Sequence, residues 1–197
     1  MHAEPMSDDQ LVIRDAVASD ADAMGRLHVR AWQHAYRGVM PDVYLDGLRA
    51  EDRIEMWRAD LERPDAPPIL VAEVAGEVVG FAVVDAAAPP VVSGDGSSGP
   101  WPEVPSACGE LYAMNLDPGH WGRGIGRALL RRATASLSAL GYDEAVLWVV
   151  PENVRARSLY ESEGWAADGA ARTDEVLGVT VTDVRYRRVL TDVPPPS

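Results

Sequence analysis

The chain has 197 residues, 47% hydrophobic and 25% charged, a length that suits one domain with a core of its own. Its 31 acidic residues outweigh 18 basic ones, for a formal net charge of -13, and this argues against nucleic acid as a partner, which would need clustered cations. No apolar run approaches the roughly 20 residues of a membrane span, no apolar leader opens the sequence, and the lone Cys108 excludes an internal disulfide, so a reducing cytoplasm is the expected compartment.

Four scattered histidines and one cysteine lack the spacing of a metal site, so no metal is expected. An acidic surface attracts cationic amines, although solubility is its plainer use.

Residues 1–10 read as a loose tail. Leu11 to Arg14 is a short strand. Ser19 to Asp22 offers a helix cap, and Met24, Leu27 and Ala31 then recur at helical spacing until the turn before Pro41. Ile54, Trp57 and Leu61 mark one face of a second helix, which stops before Pro64. Ile69–Val74 and Val78–Val84 flank Ala-Gly-Glu and predict a hairpin. Residues 86–108 are rich in Pro, Gly, Ser and Ala, which predicts a long flexible loop. Glu110 to Leu116 is the next strand, and simple alternation puts Glu110, Tyr112 and Met114 on one face.

A helix over 123–140 follows, with the stripe Ile125, Leu129, Ala133, Leu137 and Leu140 and a cap at Gly141. Residues 144–150 form a strand, and 179–190 the last one. Residues 191–197, with three consecutive prolines, read as a tail, leaving 11–190 as the single domain.

The junction of strand and helix is the most telling part. Gly122, Gly124 and Gly126 fall where the helix begins, in Trp121-Gly-Arg-Gly-Ile-Gly126. A glycine turn that opens a helix leaves backbone N–H groups pointing outward, and with the helix dipole they suit a phosphate. Arg127 stands where a dinucleotide fingerprint needs its third glycine, and a nucleotide P-loop needs a lysine, which this chain lacks throughout. Further on, Asn153 precedes a short helical run that ends Leu159-Tyr-Glu-Ser-Glu-Gly-Trp165.

These two segments, in this order, resemble the two signatures of the GNAT superfamily of acetyl-CoA-dependent N-acetyltransferases. Trp121 replaces the usual Gln or Arg, at a position that acts mainly through its backbone, and Trp165 replaces the usual Phe. The resemblance implies an α/β (α+β) fold, a mixed and mostly antiparallel seven-stranded sheet flanked by about four helices. It implies acetyl-CoA as cofactor, its pyrophosphate on the backbone of Trp121, Gly122, Arg123, Gly124, Ile125 and Gly126. Met114, Asn115 and Leu116 would hold the pantetheine arm edge-on where their strand splays from 144–150. A backbone N–H near Met114 would be the oxyanion donor. Asn153 would touch the arm or cap its helix.

Tyr160 matches the family's general acid, and Glu110 the base of its histone-modifying members. The first two helices would lie over the acceptor, with Trp32, Tyr36 and Tyr112 as substrate contacts. His34, Tyr44 and Trp57 are further candidates, Trp57 better suited to packing. Trp148 stands where ribosomal-protein acetylases carry a glutamate, which argues against that assignment. The implied reaction acetylates a primary amine of a small molecule. A protein N-terminus or lysine, or a non-catalytic acyl-CoA-binding sensor, are the alternatives. Homodimers are common among such proteins.

Overall fold

The computed structural model describes residues 11–87 and 107–190; the expected tails, and most of the expected loop, lie outside the described residues. Seven strands form one sheet: β1 (Leu11–Asp15), β2 (Ile69–Val74), β3 (Glu77–Ala86), β4 (Cys108–Leu116), β5 (Glu144–Val149), β6 (Ala166–Val176) and β7 (Val179–Val189). Their order is β1-β2-β3-β4-β5-β7-β6. Among the described strands, only β4 and β5 pair in parallel, and the other strand pairs are antiparallel. The helices are α1 (Ala21–Ala35), α2 (Asp42–Asp46), α3 (Ala50–Glu62), α4 (Ile125–Ala139) and α5 (Val154–Ser162).

Amphipathic stripes set the layers. Ile125, Leu129, Ala133 and Leu137 of α4 are almost fully buried against Leu70, Ala72, Ala82, Leu111 and Leu147 on one sheet face. Each large side chain buried this way contributes about 1.5–3 kcal/mol. Leu140 departs from the expected stripe. It is half exposed because α4 ends at Ala139, and Leu140 caps it beyond the packed turns.

On the other face, Met24, Leu27 and Ala31 of α1 and Trp57 of α3 pack on Val71, Phe81 and Val83. Trp57 is thus a core residue, and its indole N–H donates to His28 Nδ1 at 3.2 Å. Burial holds that imidazole neutral, with its pKa lowered to about 4. Asp20 precedes α1 but makes no side-chain cap bond to it; instead it anchors β1, accepting from the Val17 N–H at 2.8 Å and from the Arg14 guanidinium at 2.7 and 2.9 Å. The α1 and α3 axes approach closely at Gly25, where an added Cβ would lie 2.5 Å from Ile54 Cγ1.

Two irregularities shape the centre of the sheet. The β4–β5 ladder runs only from Cys108↔Glu144 to Leu111↔Leu147, while β5 stays paired with β7 as far as Val149. Residues 112–116 of β4 therefore diverge from β5 and leave an edge inside the sheet. The second irregularity is a bulge. Val83 pairs Ala113 but Val84 pairs Leu111, so Tyr112 is an extra residue in β4. The bulge resets the alternation, which corrects the expected shared face of Glu110, Tyr112 and Met114. Met114 and Leu116 pack on the α4 side together with Leu111, whereas Glu110 faces the opposite side.

Candidate active site

The divergence of β4 and β5 opens a cavity of about 670 Å3 lined by the end of β4, the glycine turn, α5 along its length and the last turns of α1. Among the expected cofactor residues, Met114, Asn115, Leu116, Trp121, Gly122, Gly124, Gly126 and Asn153 line it. Arg123 is exposed on the turn, and Ile125 is buried in the core as the first residue of α4, present at the site through its backbone. The Asp117 N–H donates to Val79 C=O at 2.8 Å, toward β3. By alternation the Met114 N–H and C=O point away from β3 and into the gap.

Gly124 is the residue before α4, in the left-handed region at φ 83, and a Cβ there would meet nothing within 4 Å. A Cβ on Gly126 would already touch Leu159, Leu116 and Met114 at 3.4–3.7 Å. The turn therefore presents bare backbone to an open space at the positive end of a 15-residue helix, which fits a pyrophosphate. On the facing wall, Asn153 Oδ1 accepts from the Ala156 N–H at 3.1 Å and caps α5. Glu163 ties α4 to this wall through Arg127 at 2.9 Å and Arg131 at 2.6 Å.

Tyr160 lines the same cavity, and its side chain is 8% exposed. Burial first, and the neighbouring Tyr36 second, push its hydroxyl well above the ordinary phenol range. Tyr36 is itself raised to about 12, by burial and then by Asp183, so α1's end stands close to both Tyr160 and β7. Trp32 packs on the Tyr36 ring, with centroids 5.0 Å apart.

Glu110 is 6% exposed, and burial raises its carboxyl to about 7, with Arg172 opposing. It does not line the cofactor cavity. It lies four residues below Met114, roughly 12 Å along the strand, on the face that also carries Trp148 and Arg172. Arg172 pairs with Asp183 at 2.9 Å and covers the Trp148 ring at 4.6 Å. Tyr112 is half exposed, and its hydroxyl donates to Ala86 C=O at 3.2 Å, so the bulge turns it aside from Glu110.

Tyr36 thus stands near Tyr160, and Arg172 near Glu110, while Tyr112 is drawn toward the end of β3. Cys108 is buried, with its thiol raised to about 11 by burial, and suits packing rather than nucleophilic attack. Among the described residues no group of three or more His, Cys, Asp or Glu could hold a metal, and no helix is long and apolar enough to cross a membrane. The sequence reading missed Arg155, which lines the cavity from α5. Its only signal was a basic residue two positions after Asn153.

Known proteins share this fold. A structure of the N-acetyltransferase PaiA from Thermoplasma acidophilum, in complex with coenzyme A, matches 93% of this chain and 99% of its own with a TM-score of 0.67 at 19% identity, a likeness of fold. The chain is 27% identical over 176 residues to the uncharacterized N-acetyltransferase YuaI of Bacillus subtilis, covering 88% of this chain and 90% of that one. It is 49% identical over 75 residues to a mycothiol acetyltransferase of Beutenbergia cavernae; this stretch is 36% of the chain but spans only 25% of that relative's length. The acetyltransferase (GNAT) family pattern matches residues 24–165, taking in both the glycine turn and the Asn153–Trp165 segment, and the chain therefore belongs to the GNAT family of acetyl-CoA-dependent acetyltransferases.

Proposed function

We propose that this acetyltransferase acts on the primary amine of a small molecule, with Tyr160 as general acid and Glu110 as general base. The observation that carries this reading is the cavity where β4 parts from β5. A bare glycine turn, a strand edge without a strand partner and the buried Tyr160 line it, and the buried Glu110 lies further back on the same strand. Bound acetyl-CoA supplies the acetyl group as a thioester. The backbone of Met114 and Leu116 would align the pantetheine arm, and the Met114 N–H, directed into the gap, would stabilise the developing oxyanion. The Tyr160 hydroxyl keeps its proton at neutral pH, so it can donate to the departing sulfur.

Glu110, raised to about 7, has the proton affinity of a base that works near neutrality. Its distance along the strand from Met114 calls for a water chain to carry the amine proton. Trp32 and Tyr36 would contact the acceptor, with Tyr112 at the periphery. The mycothiol acetyltransferase relatives, named for no protein acceptor, favour a small acceptor over a protein N-terminus or lysine. A sensor that only bound acyl-CoA would have no use for a buried phenol in the cavity or a buried carboxyl further back on β4.

Thiol release from acetyl-CoA, measured against a panel of small amines and amino-terminal peptides, tests this. Turnover is expected with small amines. Turnover with peptides alone would overturn the acceptor class, and binding without turnover on any amine would favour the sensor.

A further inference from the structure

Three elements meet on the side chain of Trp121. Its indole N–H donates to Leu116 C=O at 3.2 Å, at the end of β4. Its ring meets His34 of α1 edge-on, with centroids 4.7 Å apart. The guanidinium carbon of Arg155, in the first turn of α5, lies 4.5 Å from its centroid. Leu116, His34, Trp121 and Arg155 all line the cofactor cavity, so the indole and the guanidinium together join its two walls.

The electrostatics of Arg155 call for an explanation. A cation in the first turn of a helix opposes the helix dipole. The other arginine of the lining, Arg127, is neutralised by Glu163 at 2.9 Å, but among the described residues no carboxylate pairs with Arg155. A guanidinium resting on an indole is held in orientation by the ring, while its in-plane N–H groups stay open to oxyanions. A phosphate would convert the unfavourable cation into a favourable one. In a chain of net charge -13 a local cation at the mouth also offsets repulsion of a polyanionic cofactor.

We propose that Trp121 is a positioning residue, whose side chain holds Arg155 as a direct ligand for the phosphates of coenzyme A, opposite the backbone donors of the glycine turn. The proposal rests on the cofactor reading of this cavity, and it gives position 121 a side-chain role beyond the backbone role that its motif implies.

Calorimetric titration of the intact protein with coenzyme A, at low and high salt, tests it. Arg155→Ala should weaken binding about tenfold at low salt and reduce its salt dependence. Trp121→Gln should lose a similar amount, and the double variant should be little weaker than either single one, because the ring acts through the guanidinium. Trp121→Phe, which keeps an aromatic face, should retain most of the affinity.

Additive losses would overturn the positioning role. Unchanged affinity and salt dependence in Arg155→Ala would overturn the phosphate contact even if Trp121→Gln failed to fold. A wild-type protein that bound no coenzyme A would instead overturn the cofactor reading itself.

Discussion

Replacing Glu110 by glutamine removes an ionisable group while keeping its volume, and the structure sets the size of the response. The carboxyl is 6% exposed, and burial raises its pKa from 4.5 to about 7, against the attraction of Arg172. The folded state therefore holds a proton that the unfolded chain releases between those values. Stability from this group is fully present below 4.5 and is lost as the pH rises through about 7. The span corresponds to about 3 kcal/mol.

Glu110→Gln escapes this loss. Relative to wild type it should gain little at pH near 5 and about 3 kcal/mol above pH 8, read from urea unfolding at both pH values. Catalysis should move the opposite way. Wild-type kcat/KM should rise through a limb near pH 7 as Glu110 deprotonates. The variant should have lower kcat/KM, lack that limb, and recover at high pH as free amine accumulates. A stability difference independent of pH, together with identical limbs and a constant rate ratio, would refute both the buried ionisation and the base role.

Tyr160→Phe keeps the ring and removes the proton, so kcat should fall about 10²-fold with the coenzyme A dissociation constant little changed; near-wild-type turnover with chemistry rate-limiting would remove Tyr160 from the mechanism. Gly124→Glu forces a side chain into a left-handed residue at φ 83, at a cost of about 1–2 kcal/mol, and sets a carboxylate at the phosphate site. Calorimetry should show coenzyme A binding weakened more than tenfold in a folded protein. Gly25→Ala would put a Cβ 2.6 Å from the Ile54 backbone nitrogen, prising α1 from α3. About 1–3 kcal/mol should be lost, lowering Tm by several degrees in a thermal melt while coenzyme A affinity is retained.

Much of the sheet was legible because its elements repeat at the period of their own geometry. The α4 stripe, the β2–β3 hairpin and the glycine turn each satisfy a local rule that neighbouring residues alone can express. Strand β6 escaped the sequence reading for the opposite reason. Its residues 166–169 run Ala-Ala-Asp-Gly, it is an edge strand exposed along nearly all its length, and it has no buried face to impose alternation. Helix α2 escaped because five residues are too few to show a period, and only Leu45 is buried.

The sequence by itself determined the chemistry available: a glycine turn before a helix, a carboxylate at a strand start, and a tyrosine in the Asn153–Trp165 segment. It could not determine which of these groups meet. That depends on the register between β3 and β4, where the bulge at Tyr112 turns Met114 to the α4 side and separates it from Glu110. It depends equally on β4 parting from β5 after Leu111, which leaves the end of β4 without a strand partner on that side. Ionisation, too, was decided in three dimensions. A glutamate in sequence is an ordinary carboxylate, and only its burial beneath neighbouring strands, with one cation near, brings it to about 7. Arg155 acquires its place the same way. Trp121 lies thirty-four residues before it, and only the folded cleft lays one upon the other, because pairing across a gap is set by the packing of both walls and not by any local pattern.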